Sequence, residues 1–92
     1  MEEFEWDIDK NLLNQEKHGV SFQEARQAFE DPYRVIVRDK THSTDEEERL
    51  YCIGKVELGI LMVRFTHRGS RIRIFGAGFW RQGREIYEER NR

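Results

Sequence analysis

The spacing of apolar residues changes near Pro32, from a helical period before it to a strand period after it. Phe4 and Trp6 alternate with acids and predict a short extended lead-in. From Ile8 to His18 the pattern is helical, with Ile8, Leu12 and Leu13 on one side. Asp7 suits the N-cap, because its carboxylate accepts from exposed amides two or three residues on. Lys17 and His18 suit the negative end of the helix dipole, and Gly19 suits a left-handed close. Ser21 and Glu24 spell a capping box for a second helix. Its Phe22, Ala25, Ala28 and Phe29 recur as a buried stripe, and Asp31-Pro32 stops it.

Beyond Pro32 the spacing predicts strands over Tyr33–Arg38, Arg49–Gly54, Ile60–His67 and Ser70–Ala77. Asp39–Glu47 reads as an exposed loop, Val56–Gly59 holds a turn, and Arg68-Gly69 is the predicted hairpin turn. Gly76-Ala77-Gly78 closes the last strand. Arg81–Arg90 reads as a short C-terminal helix, with Arg81/Glu85 and Glu88/Arg92 at i,i+4. The expected architecture is α+β: two N-terminal helices, a four-stranded antiparallel meander and a short C-terminal helix. Residues 1–92 are read as one domain.

Composition excludes several classes of function. No apolar run approaches the roughly 20 residues that span a bilayer, and the acidic start does not read as a signal peptide. The single cysteine, Cys52, leaves no internal disulfide, fits a reducing cytoplasm and sits on a strand as a core residue. His18, His42 and His67 are scattered without zinc spacing, and there is no GxGxxG, Walker or GxSxG signature. No metal and no cofactor are expected. The acids of Asp45–Glu48 read as a solvated run rather than a metal cage.

Net charge conceals an asymmetry. Residues 1–48 hold 14 acidic and 6 basic residues, a balance of −8, whereas residues 49–92 hold 4 and 10, a balance of +6. Nine of those ten bases are arginine. Such a distribution suggests a polyanion-facing half, unless the two halves neutralise each other in the fold.

With Arg68-Gly69 as the turn, Thr66 faces Arg71, Phe65 faces Ile72 and Arg64 faces Arg73. Leu61, Val63, Phe65, Ile72 and Ile74 then share the face expected to pack on the helices. Met62, Arg64, Thr66, Arg71, Arg73 and Phe75 share the other. Arg64 across from Arg73 is a like-charge pair, tolerated where an anion sits between the guanidiniums. That anion is a phosphate on one reading and a carboxylate of Glu57, Glu85 or Glu88 on the other. Arginine suits phosphate because its planar fork engages two oxygens at once. Tyr51, Phe75, Phe79, Trp80 and Tyr87 interleave with the bases, and such rings stack on unpaired RNA bases. Trp80, just after two glycines, is the best candidate for an exposed ring.

Several stretches of the chain resemble the BrnT toxins. They are Phe4-Glu5-Trp6-Asp7, Lys10, Asn14, Lys17-His18-Gly19-Val20-Ser21-Phe22, Glu24-Ala25, Phe29-x-Asp31-Pro32, Glu48-Arg49, Ile53-Gly54, Arg68 and Arg71-Ile72-Arg73-Ile74. The resemblance implies a RelE-like fold and an endoribonuclease toxin of a type II toxin–antitoxin system that blocks translation. It also implies a ribbon-helix-helix antitoxin, BrnA-like, as partner; a homodimer within that complex is compatible with it. Read physically, the opening motif is helix architecture. Many BrnT sequences end the last strand in Ile-Ser-Ala-Arg; this one has Phe75-Gly76-Ala77-Gly78, without that serine and arginine.

Metal-independent cleavage needs a base for the 2′-hydroxyl, cations for the pentacoordinate phosphorane and an acid for the leaving oxygen. The candidates are Arg64, Arg71, Arg73 and Arg81 as electrostatic stabilisers, with Tyr87 and His67 as proton carriers. Arg49, Tyr51, Arg68, Trp80 and Arg84 are the candidates for holding RNA. His18 reads as a helix C-terminal residue. The rival readings are a binding module without catalysis, favoured by Gly76 and Gly78, and a metal nuclease using Asp45–Glu48.

Overall fold

Helix boundaries fall where the capping residues put them. In the computed structural model, which describes residues 2–92, Asp7 accepts the Lys10 amide at 3.0 Å and opens α1 (Ile8–His18). Gly19 closes that helix at φ 68°, a conformation that favours glycine. Ser21 and Glu24 exchange capping-box bonds, both at 3.0 Å, at the start of α2 (Phe22–Ala25). The expected longer second helix does not continue as α-helix. Arg26–Glu30 tighten into a 3₁₀ segment where the chain lies directly on the sheet.

The remaining elements are β1 (Glu3–Glu5), β2 (Val35–Arg38), β3 (Arg49–Val56), β4 (Gly59–Arg68), β5 (Arg71–Gly78) and α3 (Arg81–Arg90). They form a five-stranded sheet in the order β1-β5-β4-β3-β2, antiparallel except for the parallel pair β1–β5. This corrects the expected four-stranded antiparallel meander. The acidic lead-in is itself a strand, too short for its alternation to distinguish it from an extended tail.

The β4–β5 hairpin also departs from its predicted register. The turn residues are Gly69-Ser70, with Gly69 at φ 61°, rather than Arg68-Gly69. A tight hairpin places glycine at the first turn position when only that residue needs positive φ. Partners therefore move by two: Thr66 faces Arg73, Phe65 faces Ile74 and Arg68 faces Arg71. A shift of two preserves the faces. A β-bulge between Arg64 and Phe65 then adds Phe75 to the β5 side, so Arg64 faces Gly76. The expected Arg64–Arg73 pair does not form.

Both faces of the sheet are covered. Phe22, Ala25 and Ala28 pack on Cys52, Leu61, Val63, Phe65, Ile72 and Ile74 on one side. On the other, α3 covers Val35, Ile53 and Met62 with Trp80, Ile86 and Tyr87. The Ile8, Leu12 and Leu13 side of α1 faces outward, at 72, 58 and 47% exposure. The residue that α1 buries is Asn14. Beyond the end of β1 it occupies the open edge of β5: its Nδ2 donates to the Ala77 and Val20 carbonyls, both at 2.9 Å, and its Oδ1 accepts the Ala77 amide at 3.2 Å. One side chain thus supplies both bonds that a neighbouring strand would make there. Among the described residues no helix is long and apolar enough to cross a membrane.

Gly54 is where the 3₁₀ segment meets β3. A Cβ there would lie 2.3 Å from the Ala28 carbonyl oxygen and 2.9 Å from two further backbone atoms. Backbone cannot rotate aside as a side chain can. Gly54→Ala should therefore destabilise the chain by about 2 kcal/mol or more, lowering the Tm by roughly 10 °C in a thermal melt.

Candidate nucleic-acid interface

Register places polar side chains in rows across the α3 side of the sheet. Val37, Tyr51, Arg64 and Gly76 form one row; Arg49, Thr66 and Arg73 form the next, with Glu5 at its β1 end. Phe75, the extra residue of the bulge, packs beside these rows: the Arg49 guanidinium lies 4.1 Å and the Lys10 ammonium 5.6 Å from its ring centre. Arg64 lies along Gly76, where a Cβ would stand 3.2 Å from its Nε. Gly78 likewise seats the Trp80 indole.

These side chains and α1 enclose a cleft of about 280 Å³. Lys10, Asn14 and Lys17 line it at i, i+4 and i+7 spacing, with Leu13 and His18 beside them. Asn14 fixes that side of the helix against β5 through its bonds to Ala77. The other walls are Arg49, Arg64, Phe75, Gly76 and Trp80. Lysine and arginine supply four cations, His18 an imidazole, and no carboxylate lines the cleft. Among the described residues no ion pair reaches Lys10, Lys17 or Arg64. Three uncompensated cations around one concavity, with aromatic walls, form a site for a polyanion.

Other arginines are compensated, and by acids the sequence did not single out. Pairing β1 with β5 sets Glu3 beside Arg71 at 3.3 Å and Glu5 beside Arg73 at 2.8 Å. The hydrogen bond from Arg73 is the main cause holding the Glu5 carboxyl below its ordinary value. Glu47 joins Arg49 at 2.9 Å and Arg68 at 3.3 Å, and Arg49's hydrogen bond lowers the Glu47 carboxyl in the same way. Glu57, Glu85 and Glu88, the expected neutralisers, make none of these pairs.

Of the candidate residues, Arg49, Arg64 and Trp80 meet in the cleft. Tyr51 adjoins Arg64 in its row; burial first and the Asp39 carboxylate next raise its phenol, while Arg64 opposes them. Arg71, Arg73 and Arg68 lie toward the hairpin end in the pairs just described. Arg81 and Arg84 are exposed on α3. His67 falls on the opposite face, with its ring edge-on to Phe65 at 5.5 Å. Tyr87 lies away from the cleft and donates to Asp31 at 2.6 Å; burial and that bond push its phenol up to about 12. In the Asp45–Glu48 run, Glu47 and Glu48 are ion-paired with arginines, and no metal-binding group of three or more His, Cys, Asp or Glu occurs among the described residues. Burial likewise raises the Cys52 thiol to about 12, leaving it an inert core group.

Sequence reasoning missed Lys10, Lys17 and His18 as cleft residues. The signal was available in the Lys10–Asn14–Lys17 stripe, but the dipole rule already explained Lys17 and His18, and Lys10 and Asn14 entered only through the family resemblance. His18 turns out to stand edge-on to Trp80, with ring centres 5.2 Å apart.

The fold is an α+β domain whose cleft is walled by cations and aromatics. The chain is a member of the BrnT toxin family: the family described as the ribonuclease toxin, BrnT, of type II toxin-antitoxin systems matches residues 6–83. Membership brings with it a protein antitoxin as partner. No curated protein matches the chain.

Asp31 ties its own turn to α3 and β3, accepting from Tyr87, from the Lys55 amide at 2.7 Å and from the Tyr33 amide at 2.9 Å. Burial acts to raise its carboxyl, but those bonds outweigh it and hold it below its ordinary value. A depressed folded-state pKa stabilises the fold above the unfolded value, and that stabilisation is lost as pH falls through the folded one. An acid titration should show stability falling below about pH 4. Asp31→Ala should flatten part of that slope, leaving the share carried by Glu5, Glu24, Asp39 and Glu47, whose carboxyls are lowered too. At neutral pH it should cost about 1–3 kcal/mol in a denaturant melt.

Proposed function

We propose that the cleft between α1 and the β4–β5 hairpin is a metal-independent endoribonuclease site on a RelE-like scaffold. The observation that carries this reading is the convergence of four cations and one imidazole on a cleft without carboxylates. Such walls attract the RNA backbone and repel a divalent metal ion. In the reaction, the 2′-oxygen attacks the adjacent phosphorus as its proton leaves to a base. The pentacoordinate phosphorane then expels the 5′-oxygen, which takes a proton. The products are a 2′,3′-cyclic phosphate and a 5′-hydroxyl.

Arg64 carries the central electrostatic role, because it lies flat in the cleft and no carboxylate competes for its fork. Lys10, Lys17 and Arg49 spread the developing charge. His18 exchanges the proton, as the one imidazole lining the cleft. Arg68, Arg71 and Arg73 hold the backbone on one side as it exchanges with their local carboxylates, and the exposed Arg81 and Arg84 add charge from α3. A ribbon-helix-helix antitoxin neutralises the toxin by laying an acidic segment across the same cations.

Purified protein should cleave RNA in EDTA and leave cyclic-phosphate ends, whereas a pure binding module would leave the RNA whole. Arg64→Gln should lower the cleavage rate by about 100-fold or more with the melt unchanged. Binding should weaken with salt, with a log–log slope of roughly −3 for four phosphate contacts to a single strand. Undiminished cleavage by folded Arg64→Gln would remove this cleft from the reaction.

A further inference from the structure

We infer that the cleft takes one unpaired nucleotide, its base laid on the Trp80 indole and its phosphate on Arg64; this rests on the ribonuclease reading of the cleft. Trp80 precedes α3 and is half-buried, seated on β5. A Cβ at Gly78 would stand 2.5, 2.6 and 3.0 Å from Cε2, Cζ2 and Cδ2 of that indole. Simultaneous approach to three adjoining ring atoms is contact with the ring's face, so bare backbone forms the floor beneath it. His18 packs edge-on at 81°, and Ile53 and Met62 belong to the cluster the ring joins. An aromatic held this firmly loses little freedom when a base stacks on it.

The second aromatic wall is already engaged, since Phe75 has the Arg49 and Lys10 cations against its ring. Trp80 lines the cleft with no cation against its ring among the described residues, so a single aromatic is left to take a single base. Arg64 is seated on Gly76 as Trp80 is on Gly78, and these two glycine seats, two residues apart on one strand, are spaced about 6.6 Å. That separation lies within the reach of a single nucleotide. A base stacked inside a duplex cannot lay its face on a wall within a cleft of about 280 Å³, so the substrate is single-stranded RNA or a loop.

Tryptophan fluorescence tests this directly. The chain has two tryptophans, and Trp6 packs on Phe22 with ring centres 6.1 Å apart, outside the cleft. In a Trp6→Phe background Trp80 is the sole reporter. A short 2′-O-methyl RNA, which cannot be cleaved, should quench it as a single strand and bind at least tenfold more weakly as a duplex. Trp80→Ala and Gly78→Ala should each weaken single-strand binding, measured by anisotropy of a labelled strand, by about tenfold. Trp80→Phe should lose less, and circular dichroism confirms that each variant folds. Equal quenching by duplex, equal quenching by a polyglutamate peptide, or wild-type affinity in folded Trp80→Ala overturns the nucleotide pocket. If Arg64→Gln abolishes cleavage while Trp80→Ala binds and cleaves normally, the pocket falls and the ribonuclease cleft stands. If Arg64→Gln cleaves normally, both fall.

Discussion

The hydrogen bonds of Asn14 are the constraint on which the cleft depends. β1 covers only the first three residues of β5, and its edge beyond that point would expose unpaired amide and carbonyl groups. Asn14 supplies a donor and an acceptor to Ala77 there and a further donor to Val20. It is buried at 7% exposure, so an apolar replacement would strand three backbone groups away from water. The same bonds fix the rotation of α1. With Asn14 turned toward the sheet, Lys10 and Lys17, one turn before and one after, must face the cleft. Backbone satisfaction and the placement of positive charge are therefore a single event.

Charge is partitioned as well as placed. The asymmetry between the two halves of the sequence is partly cancelled by β1 and by Glu47, which engage Arg49, Arg68, Arg71 and Arg73. Three cations that make no ion pair among the described residues, Lys10, Lys17 and Arg64, meet where α1 adjoins the sheet. A site built this way concentrates unbalanced charge in one concavity while the net charge of the whole chain stays at −2. Arginines on adjacent strands thus do different work: Arg71 and Arg73 hold the acidic β1, and Arg64 lines the cleft.

Local signals were legible in the sequence and long-range ones were not. Asp7, Gly19, Ser21 and Glu24 act within one turn of themselves, and each was found where its side-chain chemistry places it. The limits of α3 were equally local. The pairing of Glu3–Glu5 with Arg71–Arg73 joins distant segments through three residues, whose alternation marks an extended stretch but not its partner. The bulge at Phe75 depends on neither composition nor spacing, because it arises from how β4 and β5 meet. As to the cleft, arginine density and the aromatic near two glycines pointed to Arg49, Arg64 and Trp80. The contribution of α1 stayed hidden because Lys17 and His18 satisfy the rules for ending a helix, and Lys10 stands alone in the first turn with no local signal.

The extra residue in β5 gives the sheet a phase. Strand side chains alternate, so removing one residue near Phe75 would turn every position from Gly76 onward through half a rotation. Gly76 would no longer lie beneath Arg64, Trp80 would lose its floor, and the Ala77 groups that Asn14 holds would point elsewhere. Substitution along this stretch is then a local matter, to be absorbed by one side chain at a time. A change of length is not: a one-codon insertion or deletion there would dismantle helix anchor, aromatic platform and central cation together.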